Sequence, residues 1–196
     1  MSFKIYNIMQ STREKILDVI FRLVYIYGYN GTSMSMILKE CNIPKGSLYH
    51  HFKSKKEMVL AVIKERLAPN MDQFYELDIE DDKDGIENII EAILKVAQKE
   101  NLLVYGCPLN RLNQEMSPLD KDFEQEIITI YNNIKIKLIN VLKHASLKKD
   151  VDIDSLSSYI ITTVWGALSL SPSHSSKEQY LNSVEHLINY LNSLKN

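Results

Sequence analysis

One short stretch decides how this chain begins to fold: Pro44-Lys45-Gly46-Ser47-Leu48-Tyr49-His50-His51-Phe52-Lys53. Pro44 is suited to the first position of a helix, because the N–H that proline lacks would have no intrahelical partner there. In a helix that runs from Pro44 to Phe52, Leu48 and Phe52 lie on one face, since residues four apart are neighbours. We predict that this apolar face anchors the helix in the hydrophobic core. The opposite face is polar and consists of Gly46, His50 and Lys53, flanked by Ser47 and Tyr49.

Two helical patterns precede this stretch. Ser11 and Glu14 have the spacing of a capping box, and apolar residues follow at helical intervals until Gly28 ends the pattern. Ser33 is placed to cap a second, short helix, which Asn42 ends. Two short helices that are joined by a few residues and packed on a longer one form a helix-turn-helix motif.

The rest of the chain is also predicted to be helical. Ser54 and Glu57 form a second capping box, which opens a connecting helix over about 54–75. An exposed loop is predicted over 78–85 and a break between helices at 171–173. Later helical patterns cover about 86–97, 119–145, 154–170 and 177–194. The sequence therefore predicts an all-α fold of about nine helices, with a three-helix helix-turn-helix domain at 1–53 and a larger helical domain at 54–196.

Composition and charge narrow the class of protein. The 196 residues are 45% hydrophobic and 24% charged, which is typical of a globular chain. Residues 1–66 contain 8 Lys and 3 Arg against 5 acidic residues, a net charge of +6, whereas the remainder carries −8. Two cysteines cannot form a disulfide framework, and no secretory or membrane-spanning stretch is evident, so we expect a cytoplasmic protein without a membrane partner.

The polar face of the helix at 44–52 suits the major groove of DNA. It carries amines, hydroxyls and a flat aromatic ring but no acid, so it can reach phosphates or base edges. The alternative is that His50 and His51 form a solvated pair on an ordinary polar surface. Adjacent histidines on a helix point about 100° apart, so they are poor joint metal ligands. The sequence also has no phosphate-binding glycine loop, and His144, His174 and His186 lack the spacing of metal ligands, so we predict no metal and no cofactor.

The segment 12–66 resembles the DNA-binding domain of the TetR family of bacterial regulators. The matching runs are Thr12-Arg13-Glu14-Lys15-Ile16-Leu17, Gly28-Tyr29-Asn30-Gly31-Thr32-Ser33-Met34 and Pro44 to Lys55. The resemblance implies DNA contacts from Thr32, Ser33, Lys45, Ser47, Tyr49, His50 and Lys53, with Gly46 allowing the backbone to come close. One departure is that Ser35 and Met36 stand where many relatives carry an Arg-Asp pair.

The resemblance also implies a homodimer, which forms through the last two helices and binds a palindromic operator. The last helix carries a wide apolar stripe, although such a stripe could equally pack inside its own chain. The predicted dimer contacts are Val164, Leu168, Tyr180, Leu181, Val184, Leu187, Ile188 and Leu191.

Aromatic and soft residues in the second domain point to a ligand. Methionine and aromatic side chains adapt to varied apolar molecules, although they are also common in plain cores. The resemblance implies an effector cavity, so we predict a repressor that a small apolar or aromatic effector releases from double-stranded DNA. The candidate effector contacts are Tyr105, Cys107, Met116, Phe123, Tyr131, Tyr159 and Trp165.

Cys107 points to an alternative function, that of a repressor that senses electrophiles or oxidants through this thiol. It precedes Pro108 at the start of a helix, where the helix end would lower the pKa of the thiol, and 106–123 resembles a motif in a branch of the family whose members include cysteine sensors of electrophiles or oxidants. A resolving cysteine is missing, since Cys41 is predicted to be buried. A ligand-free nucleic-acid-binding adaptor is a further alternative. An enzyme is not predicted, because Cys107 and His144 have no orienting third residue.

Overall fold

The computed structural model describes residues 11–77, 84–174 and 177–196, with the backbone alone at 173 and 174. Over these ranges the predicted all-α fold is confirmed. The helices are α1 (Thr12–Gly31), α2 (Met34–Cys41), α3 (Lys45–His51), α4 (Lys55–Val62), α5 (Ala68–Phe74), α6 (Gly85–Val96), α7 (Glu100–Tyr105), α8 (Pro108–Met116), α9 (Lys121–Lys143), α10 (Ile153–His174) and α11 (Lys177–Ser193). A π-helical turn, Ile63–Leu67, joins α4 to α5.

The chain divides into two compact units, 1–66 and 67–196. In the first unit, α1 packs against α2 and α4. The sequence places the domain boundary earlier, after residue 53, whereas the structure groups α4 with the first unit because α4 lies against α1. The core of this unit includes Ile16, Leu17, Ile20, Ile37, Leu48 and Met58, none of which is exposed.

Three of the four predicted helix starts in the first unit are confirmed. The side-chain oxygens of Ser11, Ser33 and Ser54 each accept a hydrogen bond from the backbone N–H three residues later, at 3.2, 3.2 and 3.1 Å. Gly28 interrupts α1 with φ 78°, but a last turn follows it up to Gly31. Pro44 is the residue before α3 rather than its first residue, because its ψ of 144° is extended.

In the second unit, α10 is the central helix and packs against α7, α8, α9 and α11. The predicted break at 171–173 is wrong, because α10 continues through Pro172 to His174. A proline in the last turn of a helix removes only one intrahelical hydrogen bond, so the helix can absorb it.

The predicted loop at 78–85 lies mostly outside the described residues, and at its end the prediction is wrong. Gly85 is buried and is the first residue of α6, where Asp84 Oδ1 accepts a hydrogen bond from Ile86 N–H at 2.8 Å. A Cβ on Gly85 would lie 2.3 Å from the Val141 carbonyl oxygen, so the close approach of α6 to α9 requires glycine. In the described ranges, no helix is long and apolar enough to cross a membrane.

Candidate nucleic-acid interface

The short helix α3 presents the surface that its sequence predicts. Leu48 is fully buried and Phe52 is 2% exposed, so these two side chains anchor the helix in the first unit. Ser47 is half-buried. The exposed residues on and beside the helix are Lys45, Gly46, Tyr49, His50 and Lys53. The polar outer face is therefore held outward by the apolar face beneath it.

Local contacts fix both ends of this surface. The Lys45 ammonium lies 5.8 Å from the centre of the Tyr49 ring, within the range of a cation–π contact. At the other end, the Lys53 backbone N–H donates to Glu57 Oε2 at 2.7 Å. The surface presents an amine beside an aromatic ring at its start and a second amine directly after α3.

Two further predicted DNA contacts lie between α1 and α2. Ser33 is exposed, and its hydroxyl shares a hydrogen bond of 2.8 Å with Ser35. Thr32, in contrast, is fully buried, and its hydroxyl donates to the Gly28 carbonyl at 2.7 Å. The predicted DNA contact of Thr32 does not agree with the structure, because the residue is buried and its hydroxyl bonds the Gly28 carbonyl at the kink in α1.

Lys55 makes structural contacts beside this surface that the sequence did not single out. Its ammonium donates to the carbonyls of Tyr29 and Thr32, at 2.9 and 3.0 Å, and lies 4.2 Å from the centre of the Tyr29 ring. It thus ties the start of α4 to the turn before α2. A lysine in the first turn of a helix opposes the helix dipole, and this unfavourable position is the signal that could have identified it.

The second unit does not gather the seven predicted effector residues around one cavity. The Tyr131 and Trp165 rings meet edge to face at 5.9 Å, and Phe123 and Met116 are buried in the core. Tyr105 is half-buried. Tyr159 is 48% exposed and packs on Tyr190 rather than inward, with 5.8 Å between the ring centres.

Cys107 is also buried, and the pKa of its thiol shifts in the direction opposite to the predicted one. Burial raises the pKa of the thiol, and this outweighs the opposing influence of the Asn110 and Leu109 N–H groups at the start of α8. The prediction of a lowered pKa is therefore wrong, because it counted the helix end and not the loss of water. Burial also raises the pKa of the neighbouring Tyr75, whose hydroxyl accepts a hydrogen bond from Trp165. Electrophile sensing by Cys107 stays a prediction that the burial of its thiol disfavours.

A cavity of about 680 Å³ lies between α5 and α6, and none of those seven residues lines it. Its walls are mostly polar, and Phe74, Leu77 and Ala92 contribute apolar surface. The same three residues also line an apolar pocket of about 20 Å³. That pocket has room for about one water molecule, so of these two neighbouring pockets it is the larger that could admit a small organic molecule without a rearrangement. The other residues that line the larger cavity are Asn70, Gln73, Glu76, Asn88, Glu91, Lys95, Gln98 and Lys99.

The predicted dimer contacts are mostly interior to one chain. Leu181 and Ile188 are half-buried, but the other six residues are buried. The hydroxyl of one of them, Tyr180, donates to the Ile93 carbonyl at 3.0 Å. The apolar stripe of α11 faces its own core, so six of the eight contacts cannot serve a partner. The six buried residues are Val164, Leu168, Tyr180, Val184, Leu187 and Leu191.

A different surface of α10 is open. Tyr159, Thr162, Gly166 and Leu170 are exposed at helical spacing, and Tyr190 of α11 lies beside the first of them. A Cβ on Gly166 would meet no atom within 4 Å. We call these five residues the α10 face.

Comparisons with known proteins agree with the geometry. Residues 16–62 match the family described as bacterial regulatory proteins, tetR family. The chain is 34% identical over 139 residues to an uncharacterized HTH-type transcriptional regulator in the lacX 3′ region of Lactococcus lactis subsp. lactis. The aligned region covers 69% of each chain. It is 26% identical to the HTH-type transcriptional repressor DhaR of Mycobacterium sp. (strain GP1) over 72% of each. A crystal structure of a TetR transcriptional regulator from Chloroflexus aurantiacus J-10-FL superimposes with a TM-score of 0.82 at 23% identity, over 93% of this chain and 95% of the other.

Proposed function

Since this chain belongs to the TetR family and is a DNA-binding transcriptional regulator rather than an enzyme, we propose that it represses transcription by binding a palindromic operator as a homodimer in the cytoplasm. The observation that carries the proposal is the outer face of α3, where amines, a hydroxyl and an aromatic ring point away from a buried anchor. The proposed DNA contacts are Ser33, Lys45, Gly46, Ser47, Tyr49, His50 and Lys53.

The chemistry of this face sets how the operator is read. Lysines and hydroxyls bind phosphates, which position the protein, whereas base edges supply sequence information. The helix lacks arginine, the side chain that best recognises guanine with two hydrogen bonds. We therefore expect specificity from Tyr49, from lysine contacts and from the shape of the DNA. Selected half-sites that depend on guanines contacted by Lys45 would contradict this expectation.

The test is selection of operator fragments from genomic DNA of the source organism, followed by binding measurements at several salt concentrations. Lys45→Ala and Lys53→Ala should each flatten the slope of log K against log salt by about 0.9 for every phosphate that the variant no longer binds, so by about 1.8 in a dimer. The matched control is Lys143→Ala, which removes an exposed lysine from the second unit. No enriched fragment, or an equal effect of the control, would contradict the proposal.

The dimer is assigned to the second unit, through the α10 face. Palindromic half-sites are about 34–36 Å apart, or a multiple of that distance, so two helix-turn-helix units have to be held by a partner contact. Exposed aromatic and aliphatic side chains around Gly166 offer apolar surface that water covers in the single chain. Sedimentation of Leu170→Glu should show dissociation, whereas Leu119→Glu, which alters a more exposed leucine in the turn before α9, should remain dimeric.

The effector is assigned to the cavity between α5 and α6. Its volume falls within the range of ligand sites, and its mostly polar walls include apolar surface from Phe74, Leu77 and Ala92. A ligand releases the operator only if it binds the two conformations of the protein with different affinity. A thermal-shift screen of small apolar and aromatic compounds should therefore find molecules that stabilise the chain and weaken operator binding. Ala92→Trp, which places a large ring in the cavity, should weaken both effects. If no compound weakens operator binding, the ligand-free adaptor is the better description.

A further inference from the structure

Arg13 lies at a place where a cation is unfavourable. It is the second residue of α1, at the positive end of the helix dipole, where an acidic residue is expected. Its side chain is only 37% exposed, so the charge is partly withdrawn from water as well. An arginine in this position needs compensating contacts, and the structure shows what they are.

Two contacts hold the guanidinium of Arg13. Nη1 and Nη2 donate to the two carboxylate oxygens of Glu65 at 2.5 and 2.6 Å, which is the paired geometry that arginine alone can form. These hydrogen bonds also lower the pKa of Glu65. The same guanidinium covers the Phe52 ring, with 5.1 Å between the guanidinium carbon and the ring centre. One side chain therefore joins Glu65 in the π-helical turn to the residue that ends α3.

Phe52 connects this contact to the proposed DNA surface. It is the residue directly after α3, and its backbone N–H donates to the Leu48 carbonyl at 3.0 Å. The next residue, Lys53, is a proposed phosphate contact whose backbone is held by Glu57. A shift of the Phe52 ring would move Lys53 and the last turn of α3 together.

Glu65 is itself firmly placed. Its neighbour Arg66 donates to Asp18 Oδ1 at 2.6 Å and also pairs with Glu14, so consecutive residues of the π-helical turn both bind α1. The carboxylate that orients Arg13 is thus fixed to the same helix that carries Arg13.

We propose that Arg13 is a positioning residue for operator binding, which clamps the end of α3 through Phe52 while Glu65 holds its guanidinium in place. The proposal rests on the proposed DNA contacts of α3. Arg13 does not touch DNA in this account. A lysine at this position would keep the charge but could neither pair with both oxygens of Glu65 nor stack flat on the ring.

The experiment measures binding of the full-length protein to a selected operator fragment by fluorescence anisotropy at several salt concentrations. The variants are Arg13→Ala, Arg13→Lys and the exchange Arg13→Glu with Glu65→Arg. The matched control is Arg22→Ala, which removes another arginine of α1, one that pairs with Glu40 of α2 at 2.8 Å. Circular dichroism melts of each variant identify a temperature at which the proteins are folded. If Arg13→Ala is not folded at that temperature, the comparison of Arg13→Lys with the wild type tests the proposal.

We expect Arg13→Ala and Arg13→Lys to weaken operator binding about three- to fivefold for each half-site, and so about tenfold or more for a dimer, as the loss of a cation–π contact predicts. The slope against salt should be the same in Arg13→Ala and Arg13→Lys, because Arg13 itself neutralises no phosphate in this account. The exchange should not restore affinity, since it keeps the ion pair but takes the guanidinium from its place on α1.

Several results would overturn the proposal. Wild-type affinity in Arg13→Lys or in the exchange variant would mean that charge alone suffices. A slope reduced by about 0.9 for each subunit in Arg13→Ala but not in Arg13→Lys, which keeps the charge, would make Arg13 a phosphate contact. An equal loss in Arg22→Ala would reduce the effect to general electrostatics. A wild-type protein that binds no genomic fragment would contradict the proposed function itself, and is thereby distinguished from a failure confined to Arg13.

Discussion

Gly46→Ala should make this protein more stable and a poorer DNA binder at once. Gly46 is exposed in the first turn of α3, and a Cβ there would meet no atom within 4 Å. Its φ is not in the left-handed region, so alanine is free of backbone strain. Nothing in the chain itself requires a glycine at this position, which suggests that its requirement comes from a partner.

The substitution should raise the free energy of unfolding and lower the affinity for the operator. Glycine in a helix is less favourable than alanine by about 0.5–1 kcal/mol, so the substitution should raise the free energy of unfolding by that amount. For a unit of this size, the melting temperature should rise by about 2–8 °C. On DNA, the added methyl group would push the backbone away from a phosphate. The loss of a charged hydrogen bond, worth about 1.5–3 kcal/mol, would weaken operator binding about ten- to a hundredfold for each half-site.

Thermal melts and operator titrations of the full-length variant measure the two effects separately. Unchanged operator affinity together with the stability gain would refute the placement of Gly46 against DNA. A loss of stability would refute the description of α3 itself, because it would show that the position is crowded in the folded chain.

Three further predictions concern the second unit. Tyr180→Phe removes the hydroxyl that donates to the Ile93 carbonyl, so urea unfolding should show a loss of about 1–3 kcal/mol with operator affinity unchanged; an unchanged midpoint would mean that the carbonyl finds another donor. Gly166→Ala should stabilise α10 by about 1 kcal/mol and yet weaken the dimer in sedimentation experiments, and a dimer of wild-type strength would exclude close helix contact there. Because burial raises the pKa of Cys107, its alkylation in the native protein should be slower than that of a free thiol at about pH 7.5 and should keep rising above about pH 9, where a free thiol levels off; rapid labelling near neutral pH would revive the electrophile sensor.

The elements of the first unit could be predicted from local signals. Each capping serine lies next to the backbone that it serves, so its hydrogen bond depends on three or four residues only. The outer face of α3 followed in the same way, because Leu48 and Phe52 determine which side is buried. Thr32 was misplaced, since its sequence neighbours do not show that the chain kinks at Gly28 and takes up its hydroxyl.

The second unit was predicted less well because its contacts are distant in sequence. The apolar stripe of α11 shows that one face is buried, but not whether its own chain or a partner covers it. Tyr180 illustrates the difficulty, since its hydroxyl partner is Ile93 in a helix far earlier in the chain. The same holds for Cys107, whose position at the start of α8 is a local fact, while its burial depends on the packing around Tyr75 and Trp165.

Charge at the wrong end of a helix is a signal that the sequence did contain. Arg13 in α1 and Lys55 in α4 are both cations in a first turn, where the helix dipole disfavours them. Both are explained by contacts with other elements: Arg13 with Glu65 and Phe52, and Lys55 with the carbonyls before α2. Lys55 holds the turn before α2, and Arg13 contacts Phe52, which follows α3. The proposed DNA surface lies between these two places.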